Sequence, residues 1–429
     1  MRSLKALGAR LGCQLENEYL FDTAVIDSRE ARPGTLFFAL SGQNTDGHNF
    51  VADVLGEGGA AVVSRDGFTG AVLEVDSVEE ALLEAGSWAR DSMEFPVLGL
   101  TGSSGKTTTR RMIAAALSLE YRTAETRGNL NNHLGLPLTL LNTPEDTEFL
   151  VLEMGMNHPG EILRLGWAAR PHHALITCIG RAHMEFFDSL DGVARAKSEL
   201  LETTMEGGIA VIPADNPILA ETASSRNLDV VTHGAGGDCW VEEGRAMPWG
   251  IPLDLRYRGG HNMENALCAI AFSERMGVDP ADAAAALARL EPSTGRGEVF
   301  TVQGRTVVDE SYNANPDSTA ACLRASSSFP GQRVAVLGDM LELGENSPEC
   351  HLETLSLAFD LGFDPVITVG SRYRAASGEA GFPAVCTDSW NEALEQVRRM
   401  AGTGCTILVK GSNSMGLMGL VNSLRREGF

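Results

Sequence analysis

The chain has 429 residues, room for about three domains at roughly 150 residues each. With 43% hydrophobic and 21% charged residues it can bury several cores, which excludes wholesale disorder. Its 34 basic against 57 acidic side chains give a net charge of −23, which argues against nucleic acid and basic membrane-surface roles and leaves any anionic substrate to a few local cations.

No stretch approaches 18 consecutive apolar residues, so no membrane insertion is expected. Arg2, Lys5 and Arg10 interrupt the apolar N-terminus, which does not fit a signal-peptide core. The eight cysteines form no CxxC pair and read as small apolar residues of a reducing, cytoplasmic compartment.

The first stretch mixes short apolar runs, Thr35–Leu40 and Ala60–Val63, with turns, and its last helix, Ala81–Met93, is broken by Pro96. From there apolar strands (Val97–Thr101, Phe149–Met154, Ala174–Ile179, Ile209–Ile212) alternate with helices (Arg110–Leu119, Gly160–Ala169, Ser189–Glu202). That alternation predicts a parallel sheet covered on both faces. Helices over Asn262–Met276 and Pro280–Leu290 close this section, and Pro292–Gly297 reads as a linker. Beyond it, strands over Thr306–Asp309, Arg333–Leu337, Pro365–Val369 and Thr406–Val409 predict a second α/β unit. The expected class is α/β in three domains: a small mixed α/β domain at 1–95, a central parallel-sheet ATPase domain at 96–297, and a Rossmann-like domain at 298–429.

The strongest motif is Gly99-Leu-Thr-Gly102-Ser103-Ser104-Gly105-Lys106-Thr107-Thr108, which follows a buried strand and opens a helix. Glycines let backbone N–H groups approach phosphate oxygens, and the helix N-terminus adds partial positive charge. Lys106 is placed to bridge outer phosphates and Thr107 to bind Mg²⁺, although Leu100 stands where the general GxxxxGK[ST] pattern has glycine. Glu153, at the end of an apolar strand, is positioned to hold Mg²⁺ over the sheet's carboxyl edge. His183, in Gly180-Arg-Ala-His183, reads equally as a metal ligand or a loop histidine. Lys197, on a helix, reads by itself as a solvated side chain.

Taken together, these segments resemble the Mur ligases, ATP-dependent amide-forming enzymes of peptidoglycan precursor synthesis. The resemblance is carried by Thr101–Thr107 (TGxxGKT), Gly128-Asn129-Leu-Asn-Asn132, Glu153 in LEMGMN, and His183 in AHxE. It continues through Lys197 in AKxE, His261–Ala266 (HNxxNA) and Gly295-Arg296. Asp309–Pro316, Leu337–Gly344 and Val409–Met415 resemble the member that joins D-alanyl-D-alanine to UDP-N-acetylmuramoyl-tripeptide; the DNPR segment usual in the member adding the third amino acid is missing. Phe186, Asp188, His133 and Asn413 depart from the family pattern.

The resemblance implies catalysis through an acyl phosphate, with Lys106, Glu153, His183 and Lys197 as the catalytic set and Lys197 carbamoylated. It implies metal contacts from Thr107, Glu153, His183 and Lys197. Nucleotide contacts would come from Gly102 to Thr108, from Asn265 to adenine, Arg296 to phosphate and Asp309 to ribose. Substrate contacts would come from Ser28, Arg29 and His48 in the first domain, from Asn129 and Asn132, and from Tyr312, Asn313 and Asn315. Cofactors are ATP and Mg²⁺, and a monomer is expected. The rival readings are another ligase of the same family, one adding lysine or diaminopimelate or a polyglutamate ligase, and a catalytically silent ATP-binding scaffold.

Overall fold

The structure is a computed structural model that describes residues 1–42 and 45–428. Three main sheets follow one another along the chain. The first has four parallel strands in chain order: Thr23–Val25, Thr35–Phe38, Ala60–Val63 and Val72–Glu74. The second has six parallel strands, ordered Asp229–His233, Ile209–Pro213, His173–Ile176, Val97–Thr101, Phe149–Glu153, Thr123–Glu125. The third has the order Glu298–Val302, Arg305–Glu310, Thr406–Lys410, Arg333–Gly338, Val366–Val369, Val385–Thr387, with only the first strand antiparallel.

The expected strands fall within a few residues of these bounds. They are continuous apolar runs because helices cover both faces: one cluster around Leu98, Leu100 and Phe272 fills one side of the central sheet, another around Leu150, Leu152 and Leu200 the other. A small antiparallel sheet, Trp240–Glu242, Arg245–Met247 and Ile251–Pro252, also belongs to the central unit; its strands of two or three residues are too short to show a period.

The central order positions the site. Val97–Thr101 lies between Phe149–Glu153 and His173–Ile176, so the chain builds one side of the sheet and then crosses to the other. At such a switch the connections at the carboxyl edge diverge and leave a crevice. The loops after all three strands open there.

Candidate active site

The loop after Val97–Thr101 turns through Gly102 (φ +153°) and Gly105 (φ +78°) into the helix Lys106–Leu117. Neither glycine tolerates a side chain: a Cβ at Gly102 would fall 1.8 Å from Thr177 Oγ1, and one at Gly105 2.3 Å from Asn265 Oδ1. Asn265 therefore packs directly on the loop. Lys106 Nζ donates to Gly102 O at 2.8 Å, arching its ammonium back over the loop. Burial lowers the pKa of that ammonium, and Glu153 opposes the shift.

Glu153 ends its strand, is 1% exposed, and sits in a built socket. Its Oε1 accepts from Thr107 Oγ1 (3.2 Å) and Asn131 Nδ2 (2.8 Å), and its Oε2 from Arg110 Nη1 (3.0 Å). Arg110 also donates to Glu125 Oε2 at 2.9 Å and Gly128 O at 3.1 Å. Sequence reading passed over Arg110 and Asn131. Arg110 follows the loop by one helical turn, so its spacing from Lys106 was the available signal.

His183 is held in the left-handed region (φ +60°), with Nδ1 2.6 Å from Glu342 Oε2. With the Nδ1 proton on that side, Nε2 keeps its lone pair, the arrangement of a carboxylate-oriented metal ligand. Glu342 is a third residue the sequence reading did not single out; its carboxyl is held below the ordinary range chiefly by this hydrogen bond.

The solvated reading of Lys197 fails. It lies on the inward face of the helix Leu190–Thr203 and is 1% exposed. Burial, with Lys106 nearby, pushes its ammonium well below its usual range. Both effects disfavour the charged ammonium relative to the neutral amine.

A cleft of about 790 Å³ separates this wall from the third unit. It is lined on the central side by Ser103 to Thr108, Asn129, Asn132, Glu153, His183 and Asn265, and across from them by Arg296, Tyr312, Asn313 and Asn315. The Arg296 guanidinium lies 3.8 Å from the centre of the Tyr312 ring. Asn315 caps the helix Pro316–Ser327 and reaches Ser103 O at 3.3 Å. Asn132 Oδ1 accepts from Gly135 N at 2.9 Å, which starts the helix Gly135–Leu141. Asn413 donates to Tyr312 O at 3.2 Å, so this departure from the family pattern braces the tyrosine segment.

Two expected contacts need correction. Asp309 is fully buried and its oxygens are taken: Oδ2 accepts from Gly295 N (2.9 Å), Oδ1 from Ser311 Oγ and N. It holds the linker turn and does not face the cleft. His48 is buried, with Nδ1 2.8 Å from Asp46 and Nε2 accepting from Ser64 N at 2.9 Å, so both ring nitrogens are committed to its own unit. Ser28 and Arg29 border a separate depression with Phe50, Asp53 and Glu57; they do not line the cleft.

The family description "Mur ligase middle domain" matches residues 100–273, and "Mur ligase, glutamate ligase domain" matches 295–413. UDP-N-acetylmuramoyl-tripeptide--D-alanyl-D-alanine ligase from Escherichia coli (strain K12) is 35% identical, over 95% of this chain and 94% of the relative. The chain belongs to the Mur ligases. The enzyme of the same name from Bacillus subtilis (strain 168) is also 35% identical, over 93% and 92%. Among solved structures, MurF from Acinetobacter baumannii superposes with a TM-score of 0.90 at 31% identity, covering 99% of both chains. MurF from Thermotoga maritima, in complex with ADP, gives 0.81 at 28%, covering 94% and 97%. This likeness covers the three-unit α/β fold from end to end, so the Mur ligase assignment extends beyond the two matched family descriptions.

Proposed function

We propose that this Mur ligase joins D-alanyl-D-alanine to UDP-N-acetylmuramoyl-tripeptide, with ATP converted to ADP and phosphate, in the cytoplasmic assembly of peptidoglycan precursors. The observation that carries the reading is the cleft itself. A phosphate loop with Lys106, Thr107 and Glu153 faces Arg296 and the Tyr312–Asn315 segment across one cavity. Relatives bearing this enzyme's name match nearly the whole chain.

A carboxylate is a poor electrophile, so the tripeptide must first be activated. Its terminal carboxylate oxygen attacks the γ-phosphorus, an O–P bond forms, the bond to ADP breaks, and an acyl phosphate results. Lys106 exchanges Gly102 O for the γ-phosphate and neutralises charge there, while the loop amides orient it. Asn265 takes the adenine and Arg296 a phosphate. The amine of D-alanyl-D-alanine then attacks the acyl carbon; the C–N bond forms, phosphate leaves, and the amine gives up a proton to solvent. Tyr312, Asn313 and Asn315 stand where that acceptor would enter, and Ser28 and Arg29 mark the surface offered to the UDP-sugar.

The donors fit a hard cation: Thr107 hydroxyl and Glu153 carboxylate lie together beside the loop. Mg²⁺ held by Thr107 and Glu153, with a second ion shared by Glu153, His183 and Lys197, would supply charge neutralisation where carboxylate and phosphate meet. Lys197 suits carbamoylation, because a neutral buried amine attacks CO₂, forms an N–C bond, sheds one proton and becomes an anion.

The test is phosphate release from ATP with Mg²⁺ and bicarbonate. Turnover is expected with UDP-muramoyl-tripeptide plus D-alanyl-D-alanine and not with UDP-muramoyl-dipeptide plus diamino acids; the reverse would overturn the specificity. Lys197→Ala should lower turnover on the order of 10³-fold, the scale of losing one group that stabilises transition-state charge. Acetate should restore part of it. Full activity in the variant without additive would sink the carbamate.

A further inference from the structure

One cluster in the cleft is used by no step above. His261 sits in the first turn of the helix Gly260–Arg275, Glu310 ends the strand Arg305–Glu310, and Cys322 lies on the helix Pro316–Ser327. One donor atom from each lies within 4.8 Å of the other two, and all three side chains border the cleft. Three elements from two units thus bring a nitrogen, an oxygen and a sulfur donor to one point. A hard ion such as Mg²⁺ prefers oxygen alone, whereas imidazole with thiolate and carboxylate is a donor set of borderline-soft ions.

We propose that His261, Glu310 and Cys322 form a site for a borderline-soft divalent cation, Zn²⁺ by its donor set, whose binding clamps the third unit to the central one. Binding forms bonds to nitrogen, oxygen and sulfur and releases the thiol proton to solvent, with no redox change. The fourth position of a tetrahedral ion stays open toward the cleft. Burial keeps the His261 imidazole neutral, down to about 4, which is the ligating form. Burial pushes the Cys322 thiol up to about 12, which opposes ligation, and two cations, Lys410 and Arg296, act on the Glu310 carboxylate. Lys410 Nζ stands 3.9 Å from Glu310 Oε2, donates to Asn313 O at 3.0 Å, and neutralises the carboxylate the cation needs. The cluster is therefore a contested site, open to an ion that binds thiolate strongly enough to displace the pull of an ammonium. An ion bridging His261 to the third unit would hold the cleft shut around whatever it contains, and turnover would slow.

The experiment uses the full chain and Co²⁺, a spectroscopic stand-in for Zn²⁺, in excess Mg²⁺. Expected are one saturable site, a thiolate-to-cobalt charge-transfer band in the near ultraviolet with tetrahedral visible bands, and their loss on adding Zn²⁺. Zn²⁺ at the same occupancy should inhibit phosphate release. Cys322→Ser should remove the charge-transfer band and weaken binding by roughly tenfold or more, at least what losing an outer-shell partner of a metal costs. Lys410→Met, which removes the competing charge, should tighten it. His261→Gln gives a second loss-of-ligand variant, read by the same bands if Cys322→Ser does not fold. A band that survives both ligand changes, or no saturable site in the native chain, overturns the assignment. Saturable binding that leaves phosphate release unchanged overturns the clamp.

Discussion

The two junctions of this chain are built from opposite materials. Where the first unit meets the central one, the core is continuous: Leu138 and Leu141 of the central helix Gly135–Leu141 belong to the same apolar cluster as Leu4, Leu36 and Leu82. Gly86 lets its helix, Val78–Asp91, touch Gly135–Leu141, since a Cβ there would lie 2.5 Å from Pro137 Cβ. Arg90 is buried and donates to three carbonyls, those of Ala169 (2.8 Å), Met93 (2.7 Å) and Arg170 (3.1 Å). Where the central unit meets the third, the ties described are polar. Arg181 pairs with Asp317 at 3.2 Å and Glu353 at 2.6 Å, His183 with Glu342, and Asn315 with Ser103 O. An apolar junction loses its full burial energy when opened, while a polar one exchanges its partners for water. The first two units therefore share one core, and the junction with the third is the one expected to open at lower cost.

The largest expected effect tests the fused junction. Leu141→Ala should destabilise the central unit and the first together by about 2–5 kcal/mol, the cost of a buried cavity. A urea transition should shift as one; two separate transitions would break the contrast. Asn315→Ala removes a helix cap and a bridge to the phosphate loop, with a stability loss of about 1 kcal/mol. The expected sign of its bridging role is a raised KM for ATP, measured well below the unfolding midpoint, which that loss lowers by a few degrees at most. Arg181→Ala should cost stability no more than about 1 kcal/mol, because its partners are half exposed. Its signature is kinetic: turnover should lose part of its dependence on salt, since screening acts on this pair. A stability loss as large as that of Leu141→Ala would show that the two junctions do not differ in kind.

The smallest effect is in pH. His183 holds the Glu342 carboxyl below its ordinary value, so the stabilisation is present above the usual carboxylate range and is lost as pH falls through the lowered value. The Glu185 amide, bonded to Glu342 O at 3.0 Å, should exchange faster in that acid window once intrinsic rates are removed. Glu342→Gln should flatten that dependence.

The contrast also explains what was legible in the sequence. Val97–Thr101, the loop to Thr108 and Glu153 could be read because strand, turn and helix are contiguous and each leaves its own pattern. Lys197 could not be read from its helix alone, because its burial comes from packing against a distant sheet. The socket of Glu153 was half visible: Thr107 is local to the loop, but Arg110 and Asn131 act through the carboxylate of a third segment. Asp309 and His48 were assigned as ligand contacts by the family resemblance, and a matching motif does not tell whether the side chain faces a substrate or its own backbone. Gly295 and Ser64, which occupy them, are 14 and 16 residues away.

The grip of Asp309 on the linker sets how the third unit can travel. Arg111 of the central unit holds Glu291 O at 2.9 Å and Ser293 Oγ at 2.6 Å; four residues' span later Gly295 and Gly297 are bonded to Asp309, and Tyr312 N to Gly295 O. What remains between the two anchors is one tight turn, closed by Arg296 N on Ser293 O at 2.9 Å. A door on a single narrow hinge has few ways to swing. Arg296, its Tyr312 platform and the sheet behind them must arrive at the nucleotide together, so one rotation carries the timing of the whole opposite wall.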